Sequence, residues 1–128
     1  MAKVISTEKA PAAIGPYSQA LRVGNFLFAS GQIPLDPAQG VLVGDTAQEQ
    51  AEQVFRNIEA VLAAAGLSMK NVVKTTVFLT DLADFGKVNE IYASCFEEPY
   101  PARSCVEVSG LPKGAKIECE VIARGEKD

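Results

Sequence analysis

Arg103, Cys105 and Glu107 occupy alternate positions in Pro101-Ala102-Arg103-Ser104-Cys105-Val106-Glu107-Val108. In an extended strand these three share one face, while Ser104, Val106 and Val108 share the other. An arginine that enters a strand beside a proline-rich turn has two readings. It is a surface cation paired with Glu107 or a neighbour, an arrangement that is common and weak. Or it is a guanidinium fork that holds a carboxylate through two parallel hydrogen bonds. A second stretch, Lys116-Ile117-Glu118-Cys119-Glu120-Val121-Ile122, places Glu118 and Glu120 on one strand face and Ile117, Cys119 and Val121 on the other. Two adjacent carboxylates on a partly buried face raise each other's pKa, burial raises both, and a nearby Arg103 would lower them. A carboxylate in that setting is a candidate general base, and the plainer reading is a pair of interfacial salt bridges.

Ser30-Gly31 closes the apolar run Phe26 to Ala29 and permits a bulge or a close backbone approach to a ligand. Tyr17, in the loop Ala13 to Gln19, offers an amphipathic wall to a site or a buried anchor for the loop. Cys105 reads as a packed thiol or a backbone contact, since no base is in view to form its thiolate. Lys74 and Lys116 lie on strands, with nothing to depress their pKa for Schiff-base chemistry.

The chain contains no histidine and no tryptophan. Ser–His and Cys–His pairs within the chain are therefore excluded, and so is a His-ligated metal. Three cysteines without a CxxC make neither a complete disulfide set nor a familiar zinc site, and no metal is expected. Neither a GxGxxG nor a P-loop is present, so no nucleotide cofactor is implied. With 12 basic and 16 acidic side chains the net charge is −4, against the basic footprint of a nucleic-acid binder. Met1 to Ala10 lacks the apolar core of a signal peptide, and the longest apolar run, Ala60 to Ala65, is far too short for a membrane span. The expectation is a cytoplasmic protein with reduced thiols.

The length of 128 residues suits one domain, and 48% apolar with 22% charged residues is ordinary for a globular chain. A helix is expected from Ala47 to Ala65, opened by a Thr46/Glu49 capping box and closed at Gly66. A second is expected from Phe85 to Phe96, capped by Asp84. Strands are expected at Lys3 to Ile5, Leu21 to Val23, Phe26 to Ser30, Val72 to Leu79, Ala102 to Val108 and Lys116 to Arg124. Gly24-Asn25 makes a two-residue hairpin turn. Two helices can cover only one face of about six strands, which gives a two-layer α+β fold. Runs such as Val72-Val73 and Phe26-Leu27-Phe28 are apolar on both faces, so a second copy of the chain is expected over the open face.

The stretch Pro101 to Val108, with Leu111-Pro112-Lys113 and Lys116-Ile117-Glu118, resembles the signature of the RidA (YjgF) family. Ala10 to Gln19, Ala29 to Pro34, Val73 to Leu79 and Asp84-Phe85 with Val88-Asn89 are similar to its other motifs, in the family's order. The resemblance spans nearly the whole chain and implies a single RidA-like domain over residues 1–128. It implies a chorismate-mutase-like mixed sheet of about six strands, a homotrimer whose sheets close a central barrel, and sites in the clefts between subunits. It further implies hydrolysis of 2-imino or enamine acids, released by pyridoxal-phosphate enzymes, to 2-oxo acids and ammonia without a cofactor. Carried over, Arg103 binds the substrate carboxylate with help from the Cys105 backbone, and Glu118 activates water. Tyr17, Ser30, Gly31 and Asn89 shape the pocket. Two other readings stay open: a small carboxylic-acid sensor without turnover, and the endoribonuclease or translation-inhibitor role attached to some relatives.

Overall fold

A computed structural model describes residues 2–126. The elements are β1 (Lys3–Ile5), β2 (Ala20–Val23), β3 (Phe26–Gln32), α1 (Ala47–Ala64), β4 (Val72–Leu79), α2 (Phe85–Cys95), β5 (Ala102–Glu107) and β6 (Ile117–Arg124). The strands form one sheet in the order β1-β2-β3-β6-β4-β5. Every neighbouring pair is antiparallel except β4–β5. A parallel pair needs a crossover rather than a tight turn, and α2 lies within it. The expected mixed six-stranded sheet with two helices is the fold observed.

Local chemistry explains the element ends. Thr46 accepts from the Glu49 N–H at 3.1 Å, and the Glu49 carboxylate accepts from the Thr46 N–H at 3.1 Å, completing the capping box. At the other end Gly66 takes a φ of 75°; its N–H reaches the Ala63 carbonyl, and the Leu67 N–H reaches that of Leu62. This is a Schellman closure, which needs a left-handed residue there. The entry to α2 differs from expectation. The Asp84 side chain makes no capping bond. A 3₁₀ turn, Leu82–Asp84, precedes the helix, and Asp81 caps it through the Ala83 N–H. The acid that opens this region therefore stands three positions earlier.

The core lies between one sheet face and the helices. Leu27, Val77, Leu79, Ile117, Cys119 and Val121 from the sheet meet Val54, Phe55, Ile58 and Leu62 of α1, all buried. The opposite sheet face carries Leu21, Val23, Phe26, Phe28 and Val106, which remain 36–46% exposed. This is a broad apolar surface on a folded chain.

Candidate active site

Arg103 stands on β5, an edge strand, directly opposite Thr75 of β4. Thr75 belongs to the row facing the helices, so the guanidinium rises beside α2. Its Nη1 donates to Asn89 Oδ1 at 2.7 Å. Its Cζ lies 4.7 Å from the Tyr92 ring centroid and 5.2 Å from that of Phe85. Phe85, Asn89 and Tyr92 are spaced by four and three residues, which brings them to one side of α2. These cation–π contacts hold the fork without neutralising its charge. Pairing with Glu107 is not made: that carboxylate accepts from the Leu82 N–H at 2.9 Å. Among the described residues the one ion pair is Arg56–Glu52, on the exposed face of α1. Arg103 thus presents an unneutralised cation to a cleft of about 460 Å³ lined by Asn89, Tyr92, Tyr100 and Pro101.

Cys105 lies two residues along the same row. The Val108 N–H donates to the Leu79 carbonyl, so strand alternation turns the Cys105 N–H toward the free edge of the sheet. Burial pushes the Cys105 thiol pKa up and so keeps it protonated, with Arg103 partly opposing the shift. Burial also raises the Cys119 pKa.

Glu118 occupies a second cleft, of about 600 Å³, with Tyr17, Ser30, Gly31, Ile14 and Lys113. It pairs in register with Phe78, on the sheet face turned away from the helices. Burial raises its pKa, and Glu120 on the same face adds to the effect. Arg103 exerts no opposing pull, contrary to the sequence expectation, because the two residues project from opposite faces of the sheet. The β3–β6 register shifts between Ala29 and Gln32. Gly31 sits in that bulge, and a Cβ there would lie 2.8 Å from Glu118 Cδ and closer still to its carboxylate oxygen. The glycine thus leaves room for the Glu118 side chain itself. Ser30 Oγ donates to the Ser18 carbonyl at 2.6 Å, so this hydroxyl anchors the loop carrying the exposed Tyr17. Gln19, buried, ties the same loop down by donating to the Pro11 carbonyl at 2.7 Å.

The sequence-derived residues therefore form two groups, Arg103, Asn89 and Cys105 on one side and Glu118, Gly31, Ser30 and Tyr17 on the other. Lys74 and Lys116 join neither; their ammonium groups donate to Ser104 Oγ and the Asp45 carbonyl. The sequence reading missed Tyr92 and Phe85 as walls for the guanidinium, because aromatic residues at helical spacing read as core. Their spacing from Asn89 was the available signal. It also missed Gln19, and Lys113, whose backbone holds a strained φ of 59° at the cleft rim. Among the described residues, no helix is long and apolar enough to cross a membrane, and no three Cys, Asp or Glu side chains gather as a metal site.

The family model described as endoribonuclease L-PSP matches residues 7–125. A mouse protein named 2-iminobutanoate/2-iminopropanoate deaminase is 53% identical over 94% of this chain and 90% of its own length. The crystal structure of RidA from an Antarctic Psychrobacter superposes with a TM-score of 0.93 at 50% identity, covering 96% of this chain and 99% of the other. Escherichia coli TdcF, solved with bound serine, gives 0.91 at 47% identity, covering 97% and 99%. The chain belongs to the endoribonuclease L-PSP family, the one to which its RidA-like motifs point.

Proposed function

We propose that this protein hydrolyses 2-imino and enamine acids to 2-oxo acids and ammonia, without a cofactor. The observation that carries the proposal is Arg103: an unneutralised guanidinium, fixed by a neutral amide and two aromatic rings, at the rim of a cleft. Such a group suits a small carboxylate. The name of the mouse relative supplies the reaction class, and the serine held by TdcF fits a small amino-acid-like ligand.

In this reading Arg103 forms two hydrogen bonds to the substrate carboxylate, and the Cys105 N–H at the sheet edge adds a third donor. Asn89 orients Arg103, while Tyr17, Ser30 and Gly31 shape the wall around Glu118. Ionised Glu118 takes a proton from water as its oxygen bonds to the imine carbon. The C=N π electrons move to the protonated nitrogen and give a carbinolamine. Glu118 then returns the proton to nitrogen, and the C–N bond breaks with its electrons leaving on ammonia. The again-ionised Glu118 accepts the hydroxyl proton as the 2-oxo acid forms, passing it on to ammonia or water. A positioned base contributes about 10²–10⁴-fold, which is useful for an imine that already hydrolyses in water. Histidine and strong nucleophiles are unnecessary.

Arg103 and Glu118 point from opposite faces of one sheet, so one chain cannot bring them together. We place the complete site between chains of a homotrimer, with the exposed Phe26, Phe28 and Val106 face turned inward. The setting proposed is the cytoplasm, where the three free thiols stay reduced.

A serine or threonine dehydratase supplying the imine, with 2-oxo-acid release followed spectroscopically, tests the proposal. Added protein is expected to accelerate release, and Arg103→Ala to abolish the acceleration with the fold intact. A folded Arg103→Ala protein with unchanged kcat/KM would exclude the assignment. A sensor role, favoured by the serine bound to TdcF, predicts carboxylate binding without acceleration. Ribonuclease activity, suggested by the family's name, predicts RNA cleavage that responds to the same substitutions, and the net charge of −4 weighs against it.

A further inference from the structure

Thr75 is a hydroxyl in an otherwise apolar row. Its strand neighbours on the same face are Val77 and Leu79, and all three are buried. Thr75 Oγ1 and Tyr92 Oη lie 2.8 Å apart, away from solvent. A valine–phenylalanine pair would fill the same volume without burying two hydroxyls. Burial raises the Tyr92 pKa, so the phenol stays neutral and keeps its hydrogen bond.

The pair has a consequence for Arg103. Tyr92 is held on three sides: by the Thr75 hydroxyl, by the Phe55 ring at 5.8 Å in an edge contact, and by the Phe96 ring at 4.6 Å. Its own ring carries the guanidinium at 4.7 Å. Thr75 is also the residue opposite Arg103 across the β4–β5 ladder. A closed loop results: backbone register joins Arg103 to Thr75, a hydrogen bond joins Thr75 to Tyr92, and the ring face returns to Arg103. Asn89 then fixes rotation of the fork through its 2.7 Å bond. A long, rotamer-rich side chain is ordered before any ligand arrives, which lowers the entropic cost of binding.

We infer that Thr75 and Tyr92 are positioning residues for the Arg103 fork, their hydroxyl pair setting carboxylate affinity through the guanidinium. The inference rests on the proposed role of Arg103 in holding the substrate carboxylate. Loss of pre-ordering removes binding common to ground and transition states, so it raises KM and leaves kcat. Tyr92→Phe and Thr75→Val delete one hydroxyl each at constant shape, whereas Thr75→Ser keeps the hydroxyl and drops a methyl group.

The test combines the dehydratase-coupled assay with calorimetric binding of 2-oxobutanoate. Tyr92→Phe and Thr75→Val are expected to raise KM and the 2-oxobutanoate Kd by about three- to tenfold with kcat within about twofold. The double variant is expected to be no worse than either single one, since both break the same bond. Thr75→Ser restores affinity even where it lowers Tm, an ordering that a purely packing role does not give. Unchanged KM and Kd in folded Tyr92→Phe and Thr75→Val, beside an inactive Arg103→Ala, would overturn the inference alone. A fall in kcat without a rise in KM overturns it equally. If Arg103→Ala retains full kcat/KM, the functional reading beneath it fails instead.

Discussion

At the scale of single residues, the geometry separates the two charges to which the proposed mechanism assigns one reaction. Arg103 keeps its charge available because Asn89 and two rings hold it, and no acid among the described residues does. Arg103→Lys preserves the charge but not the fork, so a rise of roughly tenfold or more in KM is expected in steady-state kinetics. Glu118 works in the opposite sense: burial first, and Glu120 second, lift its pKa above the ordinary carboxylate range. A base must be ionised, so kcat/KM is expected to rise with pH along an acid limb, which burial and Glu120 push above the ordinary Glu value of about 4.3 and a neighbouring chain's Arg103 draws back toward it. Glu120→Gln removes one cause and should move that limb to lower pH; an unmoved limb would dissociate Glu120 from the site. The same shift fixes the sign for stability. A carboxylate that binds its proton more tightly when folded stabilises the fold below its raised pKa. That contribution is lost as pH rises from the unfolded value through the folded one. Glu118→Gln should therefore raise Tm at neutral pH while removing activity. Arg103 and Glu118 were both legible in the sequence, as members of a motif. Their partners were not. That Glu107 turns to the Leu82 N–H depends on a 3₁₀ turn 25 residues away along the chain, which no local pattern announces.

At the scale of elements, the bulge in β3 ties backbone form to the chemistry proposed for Glu118. Gly31 leaves the volume that the Glu118 carboxylate fills. Because that carboxylate is the mobile end of its side chain, Gly31→Ala can be accommodated by moving it rather than by unfolding. The expected result is a kcat loss of about tenfold or more with Tm nearly unchanged, since small misplacements of reacting groups are costly. A large drop in Tm with kcat preserved would show that the glycine serves the fold. Thr46→Ala makes the converse comparison: loss of the α1 cap costs about 1 kcal/mol of stability, with kcat/KM untouched. The ends of α1 were legible because capping box and Schellman glycine are local signals. The start of α2 at Phe85 was legible but its capping bond was not: of two aspartates, Asp81 and Asp84, only the path of the chain into the 3₁₀ turn selects Asp81 to accept one.

At the scale of the whole molecule, alternation along a strand fixes which residues share a face, but not which faces of different strands coincide. The sequence put Arg103 with Cys105 and Glu118 with Glu120. The register β6-β4-β5 then sets these two groups back to back. This makes oligomerisation a catalytic requirement in the proposed mechanism, and it can be tested by complementation. Arg103→Ala and Glu118→Gln chains are each expected to be inactive as pure assemblies. Co-expressed with different tags and purified through both, they form only mixed trimers. Around a closed three-membered ring, any mixture of the two contains one interface where an intact Arg103 meets an intact Glu118, so about one third of wild-type activity should return. A site built within one chain returns none, because every chain then carries a defect. The apolar face gives the independent control. Phe28→Glu places a charge on the surface proposed to be buried between copies, so it should dissociate the assembly and abolish turnover together, while secondary structure by circular dichroism is kept. A monomeric Phe28→Glu chain with full activity would return the whole reaction to a single subunit.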